Sequence, residues 1–230
     1  MKTIAIIPAR GGSKGIPRKN LTPVCGMPLI AWSVIQAIEA SSIDTVYVSS
    51  DDDEILRVAE SFGAQPIKRP FDISGDTATS ESAWIHAINT IEESGELLNL
   101  IVGMQATSPI RESRDIDCAI AEYHNKGYDS LMSANEIEDF HIWKISEQDQ
   151  AESVNYDYKN RKRRQDMQPK YLENGSFYIF KPQLIKKFNN RLSGHIGLYV
   201  MEKYKMFQID ELTDVPFCEG VMKQYNIHKR

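Results

Sequence analysis

Short apolar runs recur along the first two-thirds of the chain, and each is followed by a stretch whose apolar residues fall three and four apart. The runs at residues 3–8, 45–50 and 98–104 are too short for helices and rich in Ile and Val, which predicts buried strands. After the first run, residues 28–40 place Leu29, Trp32, Ile35 and Ile38 on one stripe, with Glu39 at its edge. That spacing predicts a helix. Asp51, Asp52 and Asp53 open a second helix through Phe62, where carboxylates complement the positive end of the helix dipole, and Gly63 stops it. A short strand is expected at 66–68. Helices follow at 79–93, with Trp84, Ile85, Ile88 and Ile91 on one face, and from Ser113 to near Gly127, with Ile116, Ala119, Ile120 and Tyr123 inward. Further strands are expected at 130–134, 174–181 and 195–201, and a closing helix at 216–225. This order predicts an α/β fold: a mostly parallel, doubly wound, Rossmann-like sheet with helices on both faces.

The rhythm breaks between about 136 and 172, which are polar, charged and aperiodic. A stretch of that length inside a compact unit is usually functional or a partner surface. With 230 residues, one domain over 1–230 is expected.

Composition narrows the classes. Hydrophobic residues make up 41% and charged residues 26%, and no apolar run approaches the ~20 residues that cross a bilayer. The first apolar run leads straight into Arg10 and glycines without a basic leader, so it reads as a strand and not a signal peptide, and a cytoplasmic protein is expected. A net charge of −5 gives no general attraction to nucleic acid or an anionic membrane. Cys25, Cys118 and Cys218 lack metal-ligand spacing and are expected to be reduced thiols.

The most informative stretch follows the first strand: Arg10, Gly11, Gly12, Ser13, Lys14, Gly15, Ile16, Pro17, Arg18, Lys19 and Asn20. Ligands of doubly wound sheets sit at the carboxyl ends of strands. Glycines let backbone N–H groups approach a ligand, and four cations within ten residues suit a polyphosphate. Gly15 is followed by Ile16, so this is not a Walker loop, and the dinucleotide glycine signature is also absent. A flexible basic turn is the plain structural alternative.

The string resembles the N-terminal signature of the acylneuraminate cytidylyltransferases, also called CMP-sialic acid synthetases, and the likeness continues over nearly the whole chain. Residues 48–55, Arg69 with the run from Gly75 to Ser80, the Gln105, Ala106, Thr107, Ser108, Pro109 block, and the run from Arg163 to Asp166 with 171–178 are similar to further family segments. The resemblance implies a sheet of nucleotidyltransferase type. It implies that Arg10, Gly12, Ser13, Asn20, Arg69 and Ser80 bind CTP. Gln105, Ser108 and Asn174 would meet a nine-carbon acidic sugar, and Lys14 with Arg163 and Arg164 would serve catalysis. It also implies that the segment near 136–172 protrudes as an arm exchanged between two subunits of a homodimer. Helix capping is the structural alternative for Ser80, and a surface position for Arg69.

One departure concerns metal. The family commonly carries Asp-x-Asp near its last strand as a Mg²⁺ site, whereas this chain has Gln208 and Asp210. Magnesium accepts one or two carboxylates together with waters and substrate oxygens, so Asp210 is the expected ligand. Turn or cap roles are the alternatives for Asp210 and Asp214. His86 and His141 are expected to be structural. The implied reaction is attack of the sugar's anomeric hydroxyl on the α-phosphorus of CTP, with pyrophosphate leaving. The rival readings are another sugar nucleotidyltransferase, using UTP, GTP or a different acid, and a nucleotide-binding protein without turnover, which Gln208 keeps in play.

Overall fold

The computed structural model describes residues 1–137 and 141–229. Residues 138–140 of the expected arm, and the side chain of Arg164, lie outside the described residues.

β1 (Lys2–Pro8) leads through the basic loop and a small hairpin, β2 (Pro23–Val24) and β3 (Met27–Pro28), into α1 (Leu29–Ile38). Then come β4 (Thr45–Ser50), α2 (Asp53–Ser61), β5 (Gln65–Lys68), α3 (Ser80–Glu93), β6 (Leu98–Met104), α4 (Ser113–Lys126) and β7 (Ser130–Ile137). A second small hairpin, β8 (Trp143–Ile145) and β9 (Ala151–Ser153), precedes β10 (Lys170–Phe180), α5 (Pro182–Phe188), β11 (Ile196–Met201) and α6 (Asp214–Gln224).

Seven strands form the central sheet in the order β11-β7-β10-β6-β1-β4-β5. β10 alone runs antiparallel, wedged between β6 and β7. Successive side chains of a strand point to opposite faces. Ala5 and Ile7 of β1 accordingly pack with Ile30 and Val34 of α1, Ile55 of α2 and Ile116 of α4. Ile4 and Ile6 pack with Trp84 and Ile88 of α3 and Ile185 of α5 on the other face. A third cluster joins Ile16 of the basic loop to Leu29, Trp32, Ile209, Cys218 and Met222, which ties the loop to α6.

The expected mostly parallel sheet, covered on both faces, is present. The aperiodic stretch holds the β8–β9 hairpin, and β10 begins four residues before the expected strand. Asp52 caps α2, accepting from the Glu54 and Ile55 amides at 2.7 and 3.2 Å. Thr79, not Ser80, caps α3, accepting from the Ser82 amide at 3.2 Å, which removes the capping alternative for Ser80. All three cysteines are free.

Candidate active site

The basic loop leaves the carboxyl end of β1 and folds over the sheet edge, where β4 and β6 also end. A cleft of about 310 Å³ opens there. Its walls include Arg10, Ser13, Lys19, Asn20, Arg69 and Ser80. Gln105 and Thr107, just past β6, and Trp84 of α3 line it as well.

Backbone geometry explains the loop's glycines. A Cβ on Gly15 would lie 2.3 Å from the carbonyl oxygen of Asp210, so the loop can approach the C-terminal segment only as glycine. A Cβ on Gly11 would lie 2.9 Å from the Cβ of Asp52. Gly12 stands clear, exposed and with nothing within 4 Å of such a Cβ. The Gly11 amide donates to Asp51 Oδ1 at 3.0 Å, and the buried Asn20 donates from Nδ2 to the Arg10 carbonyl at 3.0 Å, which fixes the base of the loop.

The loop's cations all have carboxylate partners. Arg10 Nη1 donates to the Gly75 carbonyl at 3.1 Å and to Asp76 Oδ1 at 3.3 Å, and Lys14 Nζ lies 2.9 Å from Asp76 Oδ2. The hydrogen bond from Lys14 holds the Asp76 carboxyl below the usual carboxylate range, helped by the charge of Arg10. Lys19 Nζ lies 2.8 Å from Asp210 Oδ1, and Arg18 pairs with Glu54 outside the cleft.

Arg69, just past β5, is 5% exposed, and its Nε and Nη2 have no hydrogen-bond partner. Asp51 Oδ1 is 3.9 Å from Nη2. Burial lowers the Arg69 pKa, with Asp51 opposing and Arg10 adding to the effect. A buried guanidinium with free donors, facing a cleft, is suited to an incoming acceptor.

Six of the expected site residues thus converge: Arg10, Ser13, Asn20, Arg69, Ser80 and Gln105. Lys14 stands at the rim through Asp76. Ser108 is buried outside the cleft lining, and its Oγ has no partner. Asn174 is buried, with its side chain engaged inside the chain: Oδ1 accepts from Ser133 Oγ at 2.6 Å and the Ser176 amide at 3.0 Å, and Nδ2 donates to Asn135 Oδ1 at 2.7 Å. Arg163 is exposed in the segment between β9 and β10, its Nε 2.8 Å from Asp166 Oδ2, and does not line the cleft.

Gln208 occupies the position where the family pattern has an acid. Its Oε1 accepts from Thr107 Oγ1 at 3.3 Å and its Nε2 donates to the Asn174 carbonyl. Asp214 accepts from the Asp210 and Glu211 amides, both at 2.8 Å, so it has the turn role. Among the described residues no group of three His, Cys, Asp or Glu is placed to cage a metal. One exposed carboxylate, Asp210, beside the cleft-lining Lys19 fits a magnesium ion held mostly by ligand phosphates and water, and does not fit an all-protein site.

Sequence reading missed the roles of Asp76 and Asp51. Asp76 falls within the family-like run from Gly75 to Ser80, but its contact spans 66 residues and has no local signal.

Comparisons with known proteins identify the family. Residues 4–228 match the family described as Cytidylyltransferase. N-acylneuraminate cytidylyltransferase A of Danio rerio is 34% identical over 218 residues, 94% of this chain and 49% of that protein. Pseudaminic acid cytidylyltransferase of Campylobacter jejuni is 31% identical over 228 residues, 97% of each chain. The chain therefore spans about half the length of the first relative and nearly all of the second. In fold it is similar to CMP:2-keto-3-deoxy-manno-octonic acid synthetase, solved in complex with CTP, at a TM-score of 0.73, 14% identity and coverage of 98% of this chain and 100% of that one. It is also similar to a 4-diphosphocytidyl-2C-methyl-D-erythritol synthase, at a TM-score of 0.70, 11% identity and coverage of 96% and 99%.

Proposed function

Since this chain belongs to the cytidylyltransferase family, we propose that it transfers CMP from CTP to the anomeric hydroxyl of a nine-carbon 2-keto sugar acid, releasing pyrophosphate. The observation that carries this reading is the convergence of Arg10, Lys19 and the buried Arg69 with Asn20, Ser80 and Gln105 in one cleft at the strand ends. The relatives named for N-acylneuraminate and for pseudaminic acid support an acidic nonulosonate acceptor.

The difficulty of the reaction is electrostatic: a carboxylate-bearing acceptor must approach a triphosphate. Arg10, Lys14 and the loop amides are suited to the phosphates, because preorganised donors stabilise charge as it moves to the leaving pyrophosphate. Asn20, Arg69 and Ser80 would orient the nucleotide, and Gln105, just past β6, would meet the acceptor. Asp210 would hold Mg²⁺, which when bound supplies further neutralisation of the phosphate charge. Lys14→Ala is expected to lower turnover by about 10²-fold or more with the fold intact. Near-normal pyrophosphate release from that variant would remove Lys14 from catalysis.

The segment near 136–172 favours a homodimer in which Arg163 or Arg164 would face the neighbour's cleft. It leaves Trp143, Ile145, Val154 and Tyr158 exposed, an apolar surface suited to a second copy. Among the described residues no helix is long and apolar enough to cross a membrane. Free thiols at all three cysteines support a cytoplasmic site of action. Gln208, held by Thr107 and Asn174, favours one second reading: nucleotide binding without turnover. Assaying pyrophosphate release with CTP, Mg²⁺ and a panel of nine-carbon acids separates the two.

A further inference from the structure

Asp76 is the unexpected group in the cleft. It sits in the loop between β5 and α3, far in sequence from the phosphate loop, yet its two carboxylate oxygens engage different cations of that loop: Arg10 Nη1 at 3.3 Å and Lys14 Nζ at 2.9 Å. The neighbouring Gly75 carbonyl also accepts from Arg10, at 3.1 Å. Asp76 lines the cleft itself, and its side chain is 54% exposed. A bridging carboxylate on two cations has the charge and spacing of a phosphate group lying between them.

We propose that Asp76 is the resident anion of the phosphate site, holding Arg10 and Lys14 across the cleft mouth until the β- and γ-phosphates of the nucleotide displace it. The proposal rests on the reading that the cleft takes CTP. It adds that triphosphate affinity is set by a competition inside the chain. The nucleotide must break both ion pairs of Asp76 before it gains Arg10 and Lys14, and the released carboxylate turns to water through its exposed side. Glu54 is a natural comparison. It pairs with Arg18 of the same loop, but neither residue lines the cleft, so removing its charge alters the loop's net charge without vacating the phosphate position.

The contacts at stake are two solvent-accessible ion pairs, so the competition is modest. Asp76→Asn is expected to bind CTP about two- to tenfold more tightly than the wild-type chain. CMP, which lacks the β- and γ-phosphates, is expected to bind both proteins equally. The experiment is calorimetric titration of the wild type, D76N and E54Q with CTP and with CMP, in magnesium. If the wild type itself does not bind CTP, the underlying reading of the cleft fails. If the wild type binds CTP and D76N binds it equally or more weakly, Asp76 is not a resident anion and the proposal is overturned. Tightening of CMP by the same factor, or equal tightening in E54Q, also overturns it, since either result reports bulk charge and not a displaced contact.

Discussion

Gly12 and Gly15 lie three residues apart in the basic loop after β1 and are constrained by different things. At Gly15 an added methyl would meet the Asp210 carbonyl at 2.3 Å, and backbone cannot swing aside as a flexible side chain can. Gly15→Ala is expected to push the loop from the C-terminal segment and to destabilise the protein by about 1–3 kcal/mol. Gly12→Ala meets nothing and is expected to stay within about 0.5 kcal/mol of the wild type. Chemical denaturation of both variants checks this, and equal loss in the two would show that Gly15 is not held by that contact. At this scale the sequence is readable where chemistry is local. The run of glycines and cations from Arg10 to Asn20 marks itself as a candidate anion site by its own composition. Asp76 and Asp51 do not, because an isolated acid gains its meaning only from the distant loop it meets.

Among elements, the link between the start of α4 and the 3-10 turn after β11, Lys203–Met206, depends on one lysine. Lys205 is buried and lies 2.8–2.9 Å from carboxylate oxygens of Glu112, Asp115 and Glu202. Burial works against its ammonium, but Asp115, Glu112 and Glu202 overcome this and hold it above the ordinary lysine range. Its folded pKa thus lies above the unfolded value of about 10.4. The stabilisation is complete below that value and is lost only as pH rises through the folded pKa. Lys205→Met leaves Asp115 charged in a buried place, and burial already pushes that carboxyl up. A loss of about 3 kcal/mol or more is expected near neutral pH. The double variant Lys205→Met with Asp115→Leu is expected to recover part of it. Thermal unfolding that leaves the single variant unchanged would contradict this role. The helices and inner strands were legible because their periodicity is their own. The antiparallel insertion of β10 between β6 and β7 was not, since strand pairing is chosen by neighbours more than 30 residues away in the register Leu172 to Asn135. The β8–β9 hairpin was hidden by its length, since strands of three residues are shorter than the run from which alternation can be read.

For the whole molecule, a net charge of −5 coexists with a cleft lined by Arg10, Lys19 and Arg69, so any attraction for the proposed nucleotide must be local, with partner acids close at hand. The fold class was legible from the order of elements. A pairing of two subunits leaves no such trace within one chain. If Arg163 acts across a dimer, Lys14→Ala and Arg163→Ala, each impaired alone, are expected to regain activity when unfolded and refolded together, because mixed dimers carry one intact site. Activity that stays at the mean of the separate variants would place Arg163 outside a shared site. The most direct test of the central claim is pyrophosphate release by the purified chain with Mg²⁺ and N-acetylneuraminate, legionaminate or pseudaminate, supplied in turn with CTP, UTP, GTP and ATP. Release is expected with CTP and at least one of these acids, and at background level with the other three nucleotides. Release that does not depend on the acid, or that proceeds equally well from UTP or GTP, would contradict the account.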